Sequence, residues 1–254
     1  MKCFLSIALL SSFFLFSHNT YAAERDINPE PILIKSYQSD ITGDGQNEVI
    51  ELKGIPFTVN GNYYQQIWAE VTNTPLNKHW KINYGGGYEP TIQFVDLNHD
   101  QANGILYQSP TEESSELYKY QLHKLESNKF KELPLPEQHY VQGKFKDGFN
   151  IKIQITPESD PINIGIQNQN HRTDYVQQGI YGEDGSVLKP TSVLINPISL
   201  FEPTYISKSK GYGLKSYKVI NGANHADQLG KIETLWYFEN NNWIILQTKW
   251  MSAD

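Results

Sequence analysis

Short runs of alternating apolar and polar residues recur along the chain between clusters of Gly, Asn, Asp and Pro, and no window sustains the apolar period of a helix. The runs are rich in Ile, Val, Tyr, Phe and Trp, side chains that suit a pleated, half-buried surface. Period two predicts strands over 32–37, 48–53, 63–71, 91–95, 117–123, 149–155 and 215–220. Near the C-terminus Ile232, Thr234, Trp236 and Phe238 alternate with Glu233, Leu235 and Tyr237. A polar turn at 239–242 follows and residues 243–250 return, which predicts a hairpin. Helix is scarce, with 172–178 the segment that reads as one, so the fold class is mainly β. Leu133-Pro134-Leu135-Pro136 marks an internal boundary. It separates residues 23–135, which carry the motifs, from residues 136–254, a β-rich half that carries none and that the pattern allows to be part of the same domain.

Residues 1–22 stand apart from this pattern. Lys2 precedes an apolar stretch from Phe4 to Phe16, and a short polar region then ends in Thr20-Tyr21-Ala22, the layout of a secretory signal peptide cut after Ala22. The stretch is shorter than the roughly 20 apolar residues of a membrane span and is broken by Ser6, Ser11 and Ser12. Cys3, the single cysteine, leaves with it, and no Asn-x-Ser/Thr acceptor site occurs, which suits bacterial export to the cell envelope or beyond.

Composition narrows the partners. The 254 residues carry 21 Lys plus Arg against 28 Asp plus Glu, a formal charge of -7, and removing residues 1–22 takes away one Lys and makes it -8. An acidic chain offers no phosphate-tracking surface, so nucleic acid is not an expected partner. With 19% charged and 13% aromatic residues the chain has the side chains of a folded core rather than of a disordered tail. Without disulfides that core needs adequate size, bound metal, or both.

The informative segment is Asp40-Ile41-Thr42-Gly43-Asp44-Gly45-Gln46-Asn47-Glu48. Calcium takes six to eight oxygens at about 2.3–2.6 Å, and a tight loop supplies them when oxygen-bearing side chains alternate and glycine permits the turn. Asp40, Thr42 and Asp44 hold positions one, three and five, Gly45 six, Gln46 offers its carbonyl at seven, and Glu48 stands at nine. Water or Glu51 at position twelve completes the shell, and the strand-like flanks disfavour an EF-hand. A copy begins 56 residues later as Asp96-Leu97-Asn98-His99-Asp100-Gln101-Ala102-Asn103-Gly104. It keeps Asp96, Asn98 and Asp100 but has Gln101 for the glycine and Gly104 for the ninth-position acid, so it is expected to bind metal weakly or not at all.

Both loops resemble those of FG-GAP or VCBS-type repeats, with their Asp-x-Asn/Thr-Gly-Asp-Gly pattern and following acid. The resemblance implies calcium held between two strands of a blade by Asp40, Thr42, Asp44, Gln46 and Glu48, and in degenerate form by Asp96, Asn98 and Asp100. The whole chain also resembles secreted proteins of Bacillus type with this repeat, through stretches such as Gly211-Tyr212-Gly213-Leu214-Lys215, a kinship that implies no activity. The expected architecture is blade-like antiparallel β repeats, partial or small propeller-like, followed by a further β layer. At 56 residues per repeat the mature chain has length for about four blades, but no matching loop recurs near residues 152 or 208.

Catalytic patterns are thin. The seven histidines lack His-Glu-x-x-His spacing, no Gly-x-Ser-x-Gly elbow occurs, and Gly85-Gly86-Gly87 and Gly211-Tyr212-Gly213 read as flexible turns rather than phosphate cradles. Glu112, Glu113 and Glu116 are the acids that a glycosidase reading would use, though a solvated loop explains them more simply. Tyr63, Tyr64, Trp68, Trp80, Tyr84 and Tyr88 cluster between the two loops, as a stacking platform or as core, with Trp68 and Trp80 weighted toward core. The reading is therefore a secreted calcium-stabilised β-rich binding or cell-surface-associated module for an extracellular protein or glycan. The alternative is a secreted hydrolase acting on an extracellular polymer such as polysaccharide.

Overall fold

The computed structural model describes residues 30–58, 61–112, 117–166 and 169–253; the predicted signal segment, Glu113 and Glu116 lie outside them. The described residues form fifteen strands and one helix in four antiparallel sheets. The first sheet is the meander β1 (Ile32–Ser39), β2 (Glu48–Pro56), β3 (Tyr63–Asn73) and β4 (Lys78–Tyr88). The second repeats that plan with β5 (Thr91–Val95), β6 (Gly104–Pro110), β7 (Tyr118–Glu126) and β8 (Lys129–Leu133). A three-stranded sheet follows, β9 (Gln142–Lys146), β10 (Asn150–Gln154) and β11 (Ile162–Gly165), and then helix α1 (Gln169–Gln177). The last meander is β12 (Leu194–Ser207), β13 (Gly211–Asn221), β14 (Gln228–Glu239) and β15 (Asn242–Ser252). The predicted mainly β class and blade-like layers are what the chain adopts.

Strand β2 alternates strictly between buried and half-exposed positions, as a strand with one face on a core requires. Strand β6 instead is buried on both faces: Ile105 and Tyr107 belong to the core shared with the first sheet, and Leu106 to the core shared with the fourth. Three cores thereby link the sheets in the order first, second, fourth, third. Tyr84 and Tyr107 stack at 3.9 Å between the first two sheets. Leu106 and Leu122 meet Phe201, Leu214 and Trp236 of the fourth, while Ile220 and Ile232 at its other end pack on Ile151, Ile153 and Tyr175.

Between those two contacts the same face of β13 and β14 carries Ser216, Lys218 and Thr234, all buried. The connector after Pro136 fills the gap: Lys218 Nζ donates to the Gln138 carbonyl at 2.6 Å and Thr234 Oγ1 to Gln138 Oε1 at 3.3 Å. Burial draws the Lys218 pKa down, against the opposing pull of Glu137. Trp243 Nε1 also donates to the Pro134 carbonyl. The Pro-rich boundary is thus a bonded strap between the halves.

The C-terminal hairpin turns on Asn240-Asn241, whose φ values of 51° and 60° suit the primed turn that matches strand twist. The Gly85–Gly87 segment, read as a flexible turn, lies inside β4, and Gly211–Gly213 opens β13. At Gly87 a Cβ would collide with the Ser109 hydroxyl, so the glycine serves close packing of neighbouring sheets. Trp68 and Tyr84 are buried; Trp80 is half-buried against Phe130.

Leu106→Ala should cost about 2–5 kcal/mol and shift a single cooperative transition in urea; two resolved transitions with only one displaced would show that the cores act independently. His123 is buried beneath Tyr84, and burial lowers its pKa. The unfolded chain therefore binds the proton first, so His123 favours folding above its unfolded pKa of about 6.5 and that contribution is lost as pH falls from there through the folded value. Urea midpoints measured from pH 7.5 to 5 should decline less steeply in His123→Gln.

Candidate calcium-loop pair

The two motif loops occupy equivalent connections, β1 to β2 and β5 to β6. In the first, Asp40 Oδ1 accepts from the Gly43 amide at 2.7 Å and Oδ2 from the Gly45 amide at 2.9 Å, while Asp44 Oδ1 accepts from the Gln46 amide at 2.8 Å. Gly43 and Gly45 have φ of 75° and 82°, the left-handed region that favours glycine. In the second loop Asp96 accepts from the amides of Asp100 and Gln101, and Asp100 from that of Ala102. His99 and Gln101, at the positions of the two glycines, also have positive φ, 61° and 72°. The copy therefore keeps the backbone path without the residues that make it cheap.

The loops also touch. The Asn103 amide donates to the Asp40 carbonyl at 2.9 Å and its side chain to Ser39 Oγ at 3.0 Å. A Cβ on Gly43 would stand 3.2 Å from that of Ala102. His99 stacks on Tyr237 at 4.7 Å, and Lys210 Nζ lies 4.2 Å from the same ring, so the second loop docks on the fourth sheet.

Glu48 is placed differently from a ninth-position ligand. It is 1% exposed. Its Oε2 accepts from the amides of Ile41 (2.7 Å) and Thr42 (3.1 Å), and its Oε1 from Asn73 Nδ2 (2.7 Å) and Thr42 Oγ1 (3.3 Å). A carboxylate offers about four acceptor directions, and all are in use, so Glu48 ties the loop from inside and the expected ligand set loses it. Glu51 pairs with Lys53 at 2.7 Å on β2, away from the loop. Asp40, Thr42, Asp44 and Gln46 remain at the exposed or half-exposed rim. In the second loop Asn98 Nδ2 donates to Asp100 Oδ2 at 2.6 Å and Lys124 Nζ stands 3.8 Å from that oxygen. A Cβ at Gly104 would approach the His123 carbonyl to 3.2 Å, a tight fit for any side chain there. Among the described residues no three His, Cys, Asp or Glu side chains converge as a metal-holding group. The rim offers two carboxylates, a hydroxyl and a carbonyl, a donor mix of the hard kind that calcium takes.

Sequence reasoning missed Asn73 and the inward role of Glu48. The signal was present in part: a carboxylate at the first position of an alternating strand, in phase with Ile50 and Leu52, belongs to the buried face. The partner 25 residues away on β3 carries no local signature.

Residues 139–251 match the family model described as the YybI C-terminal domain, beginning just after the Pro-rich strap. Over 228 residues, 85% of this chain and 82% of the relative, the sequence is 22% identical to the Uncharacterized protein YybI of Bacillus subtilis (strain 168). No solved structure matches. No helix among the described residues is long and apolar enough to cross a membrane.

Glu48→Gln replaces two acceptor directions with donors facing amide hydrogens, and should lower stability by about 2–4 kcal/mol, from the cost of leaving buried groups unsatisfied. Guanidinium unfolding in chelator should show the full loss, because the role of Glu48 is independent of metal.

Proposed function

We propose that the protein is a secreted, calcium-stabilised β-rich module that binds an extracellular protein or glycan at the cell surface, built on FG-GAP/VCBS-like loops. The observation that carries the reading is the first loop: its backbone is tied down from within by Glu48, while the carboxylates of Asp40 and Asp44 stand at the rim. Asp40 uses one acceptor direction on each oxygen for a loop amide, so each oxygen keeps another for a cation. Asp40, Thr42, Asp44 and Gln46 would hold calcium there with water filling the remaining positions, and the ion would act as a staple. Extracellular modules bind calcium with dissociation constants of about 0.1–1 mM, which matches the compartment that the signal segment indicates. The binding half of the proposal rests on aromatics at the far end of the first sheet. Phe57 is 62% exposed and packs edge-on to Tyr63, which in turn lies 4.8 Å from Tyr88. Such rings suit the apolar face of a sugar or a protein anchor.

Thermal unfolding in 10 mM calcium against chelator should show a stabilisation of about 1.5–2.5 kcal/mol, since that concentration is roughly 10 to 100 times the dissociation constant. The shift should vanish in Asp44→Ala and persist in Asp100→Ala; an unchanged midpoint in the unmutated protein removes calcium from the proposal. Polysaccharide pull-downs with the protein and Phe57→Ala test the platform, and retention that ignores the substitution counts against it.

A further inference from the structure

Far from the loops, helix α1 and the 221–227 segment enclose a pocket of about 230 Å³ lined by His171, Asp174, Tyr175, Asn224, Ala226 and Asp227. Asp227 is an ionisable group in an unusual place. Its side chain is 8% exposed. Its Oδ2 accepts a short hydrogen bond from the buried Tyr175 hydroxyl, and a Cβ at Gly222 would collide with both atoms. Burial, and then the contact with Asp227, pushes the Tyr175 pKa up, so the phenol stays a donor and fixes that oxygen. Among the described residues the other oxygen, Oδ1, has no hydrogen-bond partner, and the nearest group able to carry positive charge is His171 Nδ1 at 3.7 Å, beyond hydrogen-bond reach. A buried carboxylate oxygen left without a donor is costly. The arrangement therefore has an acceptor built and aimed but not met by a described residue.

We propose that this pocket binds a small primary ammonium compound whose N–H donors meet Asp227 Oδ1, with the His171 ring moving aside to admit it. The chemistry selects this ligand class. Asp227 and Asp174 make the pocket negative, and no Lys or Arg lines it for an anion. The volume lies below the roughly 300–1,000 Å³ of pockets for drug-sized ligands, which suits a molecule of a few heavy atoms. A metal is disfavoured because His171, Asp174 and Asp227 do not converge on a point. The His171 side chain is 44% exposed and covers the otherwise enclosed Oδ1, and a rotamer change of such a side chain takes picoseconds to nanoseconds.

The test is an amide NMR titration of the purified protein with methylammonium chloride, beside tetramethylammonium, which has the charge but no N–H donor. Methylammonium should give saturable shifts at the Gly222 and Asp227 amides, and tetramethylammonium should not. Asp227→Asn should weaken binding at least about tenfold, the weight of a charge-assisted hydrogen bond. Asp174→Asn, at an exposed position, should weaken it about two- to threefold through lost charge and serves if Asp227→Asn does not fold. His171→Ala should bind as well or better, because it removes only the cover. Absence of saturation in the unmutated protein, equal response to tetramethylammonium, or loss of binding in His171→Ala would each overturn the proposal, the last pointing to a metal bridged by the imidazole.

Discussion

Burial of β6 on both faces is the constraint on which the rest of the architecture depends. Ile105 and Tyr107 look toward the first sheet and Leu106 toward the fourth, so a slip of one residue would exchange the two cores' contributions. The register is held on either side, with Ile105 opposite Phe94 on β5 and His123 on β7. Because the second loop feeds directly into β6, its position is set by the same pairing. The first loop, joined to it through Asn103 and Asp40, inherits that placement. Apolar packing in the middle of the protein thus fixes the geometry of a polar rim.

The buried charged groups Glu48 and Lys218 are satisfied within the chain, whereas one oxygen of buried Asp227 has no hydrogen-bond partner among the described residues. Glu48 has four donors, and Lys218 has the carbonyl of Gln138. Each joins segments distant in sequence: β2 to β3, and the connector to β13. Such contacts give a core a unique arrangement only when they are complete. Asp227 Oδ1, like Asn221 Oδ1, has no hydrogen-bond partner among the described residues, in a region closely fitted down to a glycine whose hydrogen is all that the space allows.

Much of the fold was legible along the chain. The 56-residue offset between Asp40 and Asp96 is the spacing of two consecutive four-stranded meanders, and 91–95 was bounded as observed. The Asn-rich turn before Trp243 announced its hairpin. In the last meander the strands at β13, β14 and β15 were readable but β12 was not, because the connection at residues 208–210 has no acidic loop and β12 contains Pro197 and Pro203, which break the strand signal. The triple glycine misled for a related reason: composition reports freedom, whereas at Gly87 what matters is the absence of a side chain beside Ser109. At the candidate loop, ligand types and spacing were readable but orientation was not. Whether Glu48 faces outward or inward depends on Asn73, which no local pattern ties to it. The Tyr175–Asp227 pair, 52 residues apart, was out of reach for the same reason.

The saturated carboxylate of Glu48 also bears on how quickly and how selectively the first loop can respond to its surroundings. A flexible acidic loop must be ordered by whatever enters it, and that ordering cost is taken from the affinity. Here the amides of Ile41, Thr42, Gly43, Gly45 and Gln46 are already engaged with the loop's own acids. The rim is therefore close to one shape before any ligand arrives. Such a loop has little capacity to contract around a smaller ion, so size discrimination would come from stiffness rather than from the number of charges.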